Sequence, residues 1–175
     1  MVQIHYRPFF SVSNMDHPEE KIFSSASDFL PTRRGLRDSG RVLVFTNGCF
    51  DLLHRGHCEY LFSARCLGDY LVVGLNTDDS VRRLKGSGRP LQPLEDRAYI
   101  LASLFFVDGV IPFDEDTPLE LIRAIKPDIL VKGADYELSQ IVGAEDVVSW
   151  GGKVERIPLV RGRSTSAIIE KAKKI

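Results

Sequence analysis

Val42-Leu43-Val44-Phe45-Thr46-Asn47-Gly48-Cys49-Phe50-Asp51-Leu52-Leu53-His54-Arg55-Gly56-His57 decides how the rest of the chain is read. Its first four residues are apolar, and three of them are β-branched or aromatic. An unbroken apolar run of this kind is the pattern of a strand buried on both faces of a parallel sheet. Thr46-Asn47-Gly48 breaks the run, and Cys58 to Leu67 places its apolar groups at roughly helical spacing. The predicted unit is strand, loop, helix.

Open α/β sheets bind ligands where such a loop leaves the carboxyl end of a strand. Free backbone N–H groups and the positive end of the helix dipole favour a phosphate there. Gly48 and Gly56 carry no side chain, so the main chain can approach an anion at two points. His54 and His57, separated only by Arg55 and Gly56, can both face that anion and donate hydrogen bonds to it. The stretch therefore predicts a site for a reacting phosphate. Two other phosphate loops are excluded by spelling: there is no G-x-x-x-x-G-K-[ST], and no G-x-G-x-x-G between the first strand and helix. Gly86-Ser87-Gly88 is a fragment of the latter and reads as part of a mobile loop. The competing readings of the histidine pair are surface or structural imidazoles, or zinc ligands with Cys49 and Cys58, whose order matches no usual ligand spacing. Cys49 as a nucleophile lacks an evident base and reads as a small packed residue.

Downstream, Tyr70 to Leu75 is a second buried strand, and Asn76-Thr77-Asp78-Asp79 caps a short helix through Leu84. Short connections imply a right-handed crossover and a parallel pair. Lys85 to Pro93 is a loop with Lys85 and Arg89 exposed, of the basic kind that closes over anions. Leu94 to about Phe106 is predicted as a helix and Gly109 to Phe113 as a strand. Asp116-Thr117-Pro118 starts a helix that ends at Lys126-Pro127, and Asp128 to Val131 is the next strand. Ile141 to Trp150 reads as a helix, Lys153 to Pro158 as the last strand and Ala167 to Lys171 as the last helix, capped by Ser164 or Thr165. Five strands with intervening helices and no internal repeat give a doubly wound α/β domain over 41–175.

Residues 1–40 carry prolines, serines and scattered aromatics without sustained period. They read as an arm, partly disordered, with one short helix after Asp16-His17-Pro18-Glu19-Glu20 and an alternative start at Met15. His5 and His17 in it read as solvated bystanders. The length of 175 residues and 19.6 kDa suits one domain. A formal net charge of −1 predicts no generalised binding to nucleic acid or anionic membrane, so any anion site is local. Three cysteines without a C-x-x-C suit a reducing compartment, and the expectation is a cytoplasmic protein. Apolar runs fall short of the ~20 residues a membrane helix needs, and no signal-peptide pattern opens the chain.

Thr46-Asn47-Gly48-Cys49-Phe50-Asp51 followed by His54-Arg55-Gly56-His57 resembles the HxGH nucleotidyltransferases, a cytidylyltransferase-like superfamily of Rossmann-like fold. Within it the chain is most similar to the adenylyltransferases that make ADP-heptose from D-glycero-D-manno-heptose 1-phosphate and ATP. The further segments that carry the likeness are Leu75 to Lys85, Arg89-Pro90 with Pro93 to Arg97, Val131 to Tyr136, and Ile141 to Glu145. The resemblance runs from about Arg41 to the C-terminus.

It implies transfer of AMP from ATP to a sugar 1-phosphate, with release of pyrophosphate, in lipopolysaccharide core synthesis. His54, His57 and Lys132 would carry catalysis. Thr46, Asn47, Gly48, Cys49, Phe50, Gly56, Gly133, Arg161, Ser164, Thr165 and Ser166 would join His57 and Lys132 around the nucleotide. Asp51, Asn76, Lys85, Arg89, Arg97 and Asp135 would hold the acceptor. Mg²⁺ is expected on the ATP phosphates, with Asp51 as a candidate ligand or else an orienter of its own loop. Plainer readings stand beside these: Lys132 as a solvated lysine, Arg97 as a helical partner of nearby acids, Ser164-Thr165-Ser166 as a helix cap. Ser166 stands where relatives often have Thr. The resemblance also implies a homo-oligomer and, because 175 residues leave no room for the kinase of bifunctional relatives, a separate kinase upstream. The alternatives are another small phosphate acceptor, such as glycerol 3-phosphate or phosphopantetheine, or a nucleotide-binding module without turnover.

Overall fold

The computed structural model describes residues 16–158, 160, 162 and 165–174. Five parallel strands form one sheet: β1 (Leu43–Gly48), β2 (Tyr70–Asn76), β3 (Gly109–Phe113), β4 (Ile129–Gly133) and β5 (Lys153–Ile157). Their order across the sheet is β3-β2-β1-β4-β5. The direction of winding reverses between β1 and β4, so the crevice beyond the carboxyl ends of these two strands is the switch point of a doubly wound fold.

The apolar run decides the layering. Leu43, Phe45 and Leu130 enter one core with Phe29, Ile111, Ile122 and Val147, whereas Val44 and Val131 enter the other with Leu61, Val73, Leu101 and Val110. Both faces of β1 are therefore buried, as the pattern predicted. β1 is longer than expected: Thr46, Asn47 and Gly48 continue it, paired with Val73, Gly74 and Leu75. Among the described residues, the α-helices after β1 are α2 (Arg55–Arg65), α3 (Asp78–Lys85), α4 (Leu94–Ala102), α5 (Leu119–Ile125), α6 (Ala144–Ser149) and α7 (Thr165–Ala172). α4 stops four residues short of Phe106, and α6 starts only after Gly143, which takes the left-handed conformation at φ 82. Pro118 precedes α5 rather than lying in its first turn.

The largest correction concerns residues 16–40. Pro18–Lys21 is a single 3-10 turn, and Ile22 makes a parallel bridge to Val110 on the edge of β3. Helix α1 (Ala26–Asp38) then packs into the core through fully buried Phe29 and through Leu36. Between them Arg33 is 5% exposed; its Nε donates to the Ile125 carbonyl at 3.0 Å and its Nη groups to both Asp128 oxygens at 2.9 and 3.1 Å. Asp128 Oδ2 in turn accepts the Leu43 N–H at 2.7 Å, so α1 is anchored to the start of β1. The apolar stripe at 29, 33 and 36 is hidden because its middle member is an arginine, and Pro31 interrupts the helical spelling. Ser25 is the start signal that was available: it accepts from the Asp28 N–H as an N-cap. The domain thus begins ahead of Arg41. The expectations for residues 1–15, including His5 and the start at Met15, lie outside the described residues. Among the described residues, no helix is long and apolar enough to cross a membrane.

Candidate functional site

A cavity of about 710 Å³ opens at the switch point. β1 supplies Asn47 and Gly48, the following loop supplies Cys49, Phe50, Asp51 and His54, and α2 contributes Gly56, His57 and Tyr60. β4 and its end supply Lys132, Gly133, Asp135 and Tyr136, and Thr165 and Ser166 close it from the start of α7. Lys85 and Arg89 come from the end of α3 and the segment after it. Lys132 Nζ donates to Asn47 Oδ1 at 2.5 Å, joining β4 to β1 across the crevice.

The histidines are placed by the helix start. His54 is the N-cap of α2, and its Nδ1 accepts from the His57 N–H at 3.3 Å. An accepting Nδ1 leaves the proton of neutral His54 on Nε2, where it can be donated. One helical step on, the His57 ring stacks on that of His54 at 3.8 Å and 17°, while Phe50 meets it edge-on at 5.1 Å. His57 Nδ1 is buried without a well-formed hydrogen bond; the Leu52 carbonyl acts on it only weakly. Burial first, then the charges of His54 and Lys85, push His57 down to about 4, so it is neutral at pH 7. Burial also lowers His54. Phe50 itself sits at φ 42, and its ring lies against Gly48, where an added Cβ would meet it at 3.0 Å. Gly48 therefore serves the packing of the loop as well as leaving the strand end open.

Lys132 loses solvent to the crevice, which pushes its ammonium down to about 8 against the attraction of Asp135. Its Nζ also lies 5.9 Å from the Tyr136 ring. Thr165 Oγ1 donates to the Leu52 carbonyl at 3.3 Å and ties the first residue of α7 to the loop after β1.

Three expected residues do not line the cavity. Thr46 is fully buried and shares a 2.8 Å hydrogen bond with the Tyr60 hydroxyl. Asn76 is 3% exposed, and its Nδ2 donates to Ser80 Oγ at 2.9 Å. Arg97, also expected at the acceptor, is 1% exposed and wholly consumed by the frame. Its Nε donates to the Gln92 carbonyl at 3.1 Å, Nη1 to the carbonyls of Cys49 and Asn76 at 2.7 and 2.9 Å, and Nη2 to Asp78 at 2.6 Å. It braces the ends of β1 and β2 under the site rather than touching a ligand. The reading of Arg97 as an i,i+4 helical partner of nearby acids fails too, since its acidic partner, Asp78, lies on α3. Arg161 and Ser164 lie outside the described residues. Tyr60 and Tyr136 line the cavity without having been singled out. Tyr60 could have been found one helical turn beyond His57 on the same face of α2.

The metal expectation meets a clear geometry. Asp51 Oδ1 accepts the N–H groups of Leu91 and Gln92 at 2.7 and 3.2 Å, and Oδ2 lies 2.5 Å from Arg89 Nε as an ion pair rather than an aligned hydrogen bond. Both oxygens are engaged inside the protein, and Asp51 does not fit the role of a Mg²⁺ ligand. Among the described residues, no three His, Cys, Asp or Glu side chains converge as metal ligands, which also removes the zinc reading of His54, His57, Cys49 and Cys58.

Comparison with known proteins follows the same lines. The Bifunctional protein HldE of Syntrophotalea carbinolica is 52% identical over 171 residues, a match that spans 92% of this chain and 35% of that one. Those of Methylobacillus flagellatus and Citrifermentans bemidjiense are 60% and 63% identical over 77% and 75% of this chain, and 28% and 27% of their own length. The chain thus spans about a third or less of these relatives. The first match reaches ahead of Arg41, in keeping with α1 as part of the domain. Among solved structures, a lipopolysaccharide core biosynthesis protein from Thermoplasma volcanium is similar at TM-score 0.56 and 29% identity, over 71% of this chain and all of that one. A pantoate-beta-alanine ligase from Francisella tularensis shares the fold at TM-score 0.60 and 19% identity, over 87% of this chain and 76% of its own. The model of the cytidylyltransferase-like family matches residues 45–171, from the middle of β1 to the last helix, and the chain belongs to that family.

Proposed function

We propose that this domain transfers AMP from ATP to D-glycero-D-manno-heptose 1-phosphate, giving ADP-heptose and pyrophosphate. The observation that carries the reading is the stacked His54–His57 pair at the start of α2, facing the Lys132–Asn47 bridge across the switch point. Donors there converge from a helix N-terminus, two imidazoles and a desolvated ammonium, an arrangement suited to a polyphosphate. The heptose acceptor is supported by the segments from Leu84 to Arg97 and from Val131 to Tyr136 and by the HldE relatives.

In this reading an oxygen of the sugar phosphate attacks the α-phosphorus in line. The new P–O bond forms as the bond to the bridging oxygen of the β-phosphate breaks, and pyrophosphate departs with the electron pair. The nucleophile is already an anion and needs no base, so catalysis consists of positioning and charge stabilisation. His54 Nε2 and His57 hold the α- and β-phosphate oxygens as charge builds. Lys132 neutralises the nucleotide, Thr165 and Ser166 offer hydroxyls from α7, and Lys85 and Arg89 meet phosphate from the far side. Mg²⁺ would arrive on the ATP phosphate oxygens. The acceptor would be made by a sugar kinase, and assembly as a homo-oligomer belongs to the same reading.

Because Lys132 is pushed down to about 8 in the free protein, an incoming polyphosphate restores its proton. ATP binding at pH 8 is therefore expected to take up a fraction of a proton, read as a dependence of the calorimetric heat on buffer ionisation. Lys132→Met should shrink that dependence at pH 8 to whatever His57 contributes. The test of the function is pyrophosphate release with ATP or CTP, each offered with heptose 1-phosphate or glycerol 3-phosphate. Release confined to ATP with the heptose phosphate supports the reading; release with another pair moves the substrate. Nucleotide binding without release from any pair turns the reading to a module without turnover.

A further inference from the structure

Asp51 is a buried carboxylate in a pocket whose chemistry needs no base. It is 2% exposed, and its contacts go to a single segment, the one between α3 and α4. Through Oδ1 it receives the amides of Leu91 and Gln92, and through Oδ2 it meets Arg89. Among the described residues, the Arg89 guanidinium makes no other ion pair or hydrogen bond, although its side chain is only 16% exposed and lines the cavity. With Nε turned to Asp51, the four N–H bonds of the two Nη groups stay available, enough to grip two oxygens of a phosphate.

The segment needs such a hold. It opens with Gly86 at φ 93 and contains Gly88, and neither would meet a neighbour if given a side chain, so packing does not fix its first turn. Among the described residues, its hydrogen bonds beyond Asp51 are those of its two ends to the flanking helices, Gly86 N–H to the Arg82 carbonyl at 2.9 Å and Arg97 N–H to the Pro93 carbonyl at 3.1 Å, with the Arg89 N–H to the Gly86 carbonyl at 3.1 Å and the Gln92 carbonyl accepting from Arg97 Nε at 3.1 Å. We propose that Asp51 is a positioning residue, which pins this segment over the pocket and holds Arg89 with its Nη edge presented to a substrate phosphate. The proposal rests on the phosphate-transfer reading of the pocket and adds to it a pre-ordered cation. Ordering the segment in the free protein removes that entropy from the binding step.

Two variants separate the parts. Asp51→Ala loses both the amide acceptor and the charge; Asp51→Asn keeps an oxygen for the amides and loses the charge on Arg89. In the substrate-free protein, hydrogen exchange at Leu91 and Gln92 is expected to quicken about 10-fold or more in Asp51→Ala, with the amides of Ala98 and Leu101 in α4 unchanged. In Asp51→Asn, exchange stays near that of the parent. In both variants KM for the phosphate substrate rises about 10-fold with a smaller change in kcat, and adding Arg89→Met to Asp51→Asn costs no more than Arg89→Met alone. Unchanged exchange in Asp51→Ala, additive effects of Asp51→Asn and Arg89→Met, or a loss confined to kcat would overturn the proposal. Exchange is read without substrate, so a pinned segment in a protein that turns over no offered pair would overturn the proposed function and leave the pin standing.

Discussion

Turnover of the His57→Ala protein is expected to fall about 10²-fold or more, with a smaller change in KM for ATP. The ring is fixed on three sides before substrate arrives, by the stack with His54, the edge of Phe50 and the first turn of α2. Nothing has to be reorganised as charge builds on the phosphate oxygens, which is when a pre-set donor acts most strongly. In the free protein burial keeps the imidazole neutral, pushed down to about 4; a phosphate beside it favours its protonated, doubly donating form. Deleting the ring leaves the backbone of α2 intact, so the thermal midpoint should move little. Steady-state kinetics with a parallel melting curve check both halves, and near-normal turnover would remove His57 from the reaction.

Arg97→Met should do the reverse, lowering stability by about 3 kcal/mol or more. The substitution keeps much of the side-chain volume but leaves the carbonyls of Cys49, Asn76 and Gln92 and the Asp78 carboxylate without their donor. Three of those groups fix the ends of β1 and β2 and the segment before α4, so the fold is damaged where the pocket begins. Urea denaturation reads the loss as a lower midpoint at similar slope. An unchanged midpoint with a raised KM for the acceptor would return Arg97 to the ligand-binding role that its sequence suggested.

These two residues show where reading the sequence succeeds and where it stops. His54 and His57 were legible because a strand, a glycine pair and a helix start fix their surroundings within sixteen residues. The inner strands were legible for the same reason, since β1, β2 and β4 carry apolar runs, whereas the order β3-β2-β1-β4-β5 with its reversal beside β1 was not. Arg97 was misread because a buried arginine satisfied by carbonyls from distant strand ends looks, in one dimension, like any helical cation. Helix α1 was missed because Arg33 occupies a core-facing position, and its partners Ile125, Lys126 and Asp128 lie more than ninety residues away. The role of Asp51 depends in the same way on Leu91 and Gln92, some forty residues on. Local chemistry set by local sequence is readable, and polar groups satisfied at long range are not.

The most direct test of AMP transfer follows the α-phosphorus. With ATP labelled at the α-phosphate and heptose 1-phosphate as acceptor, the account predicts the label in ADP-heptose and none in the pyrophosphate released. Label recovered only in AMP or in unreacted ATP would contradict it.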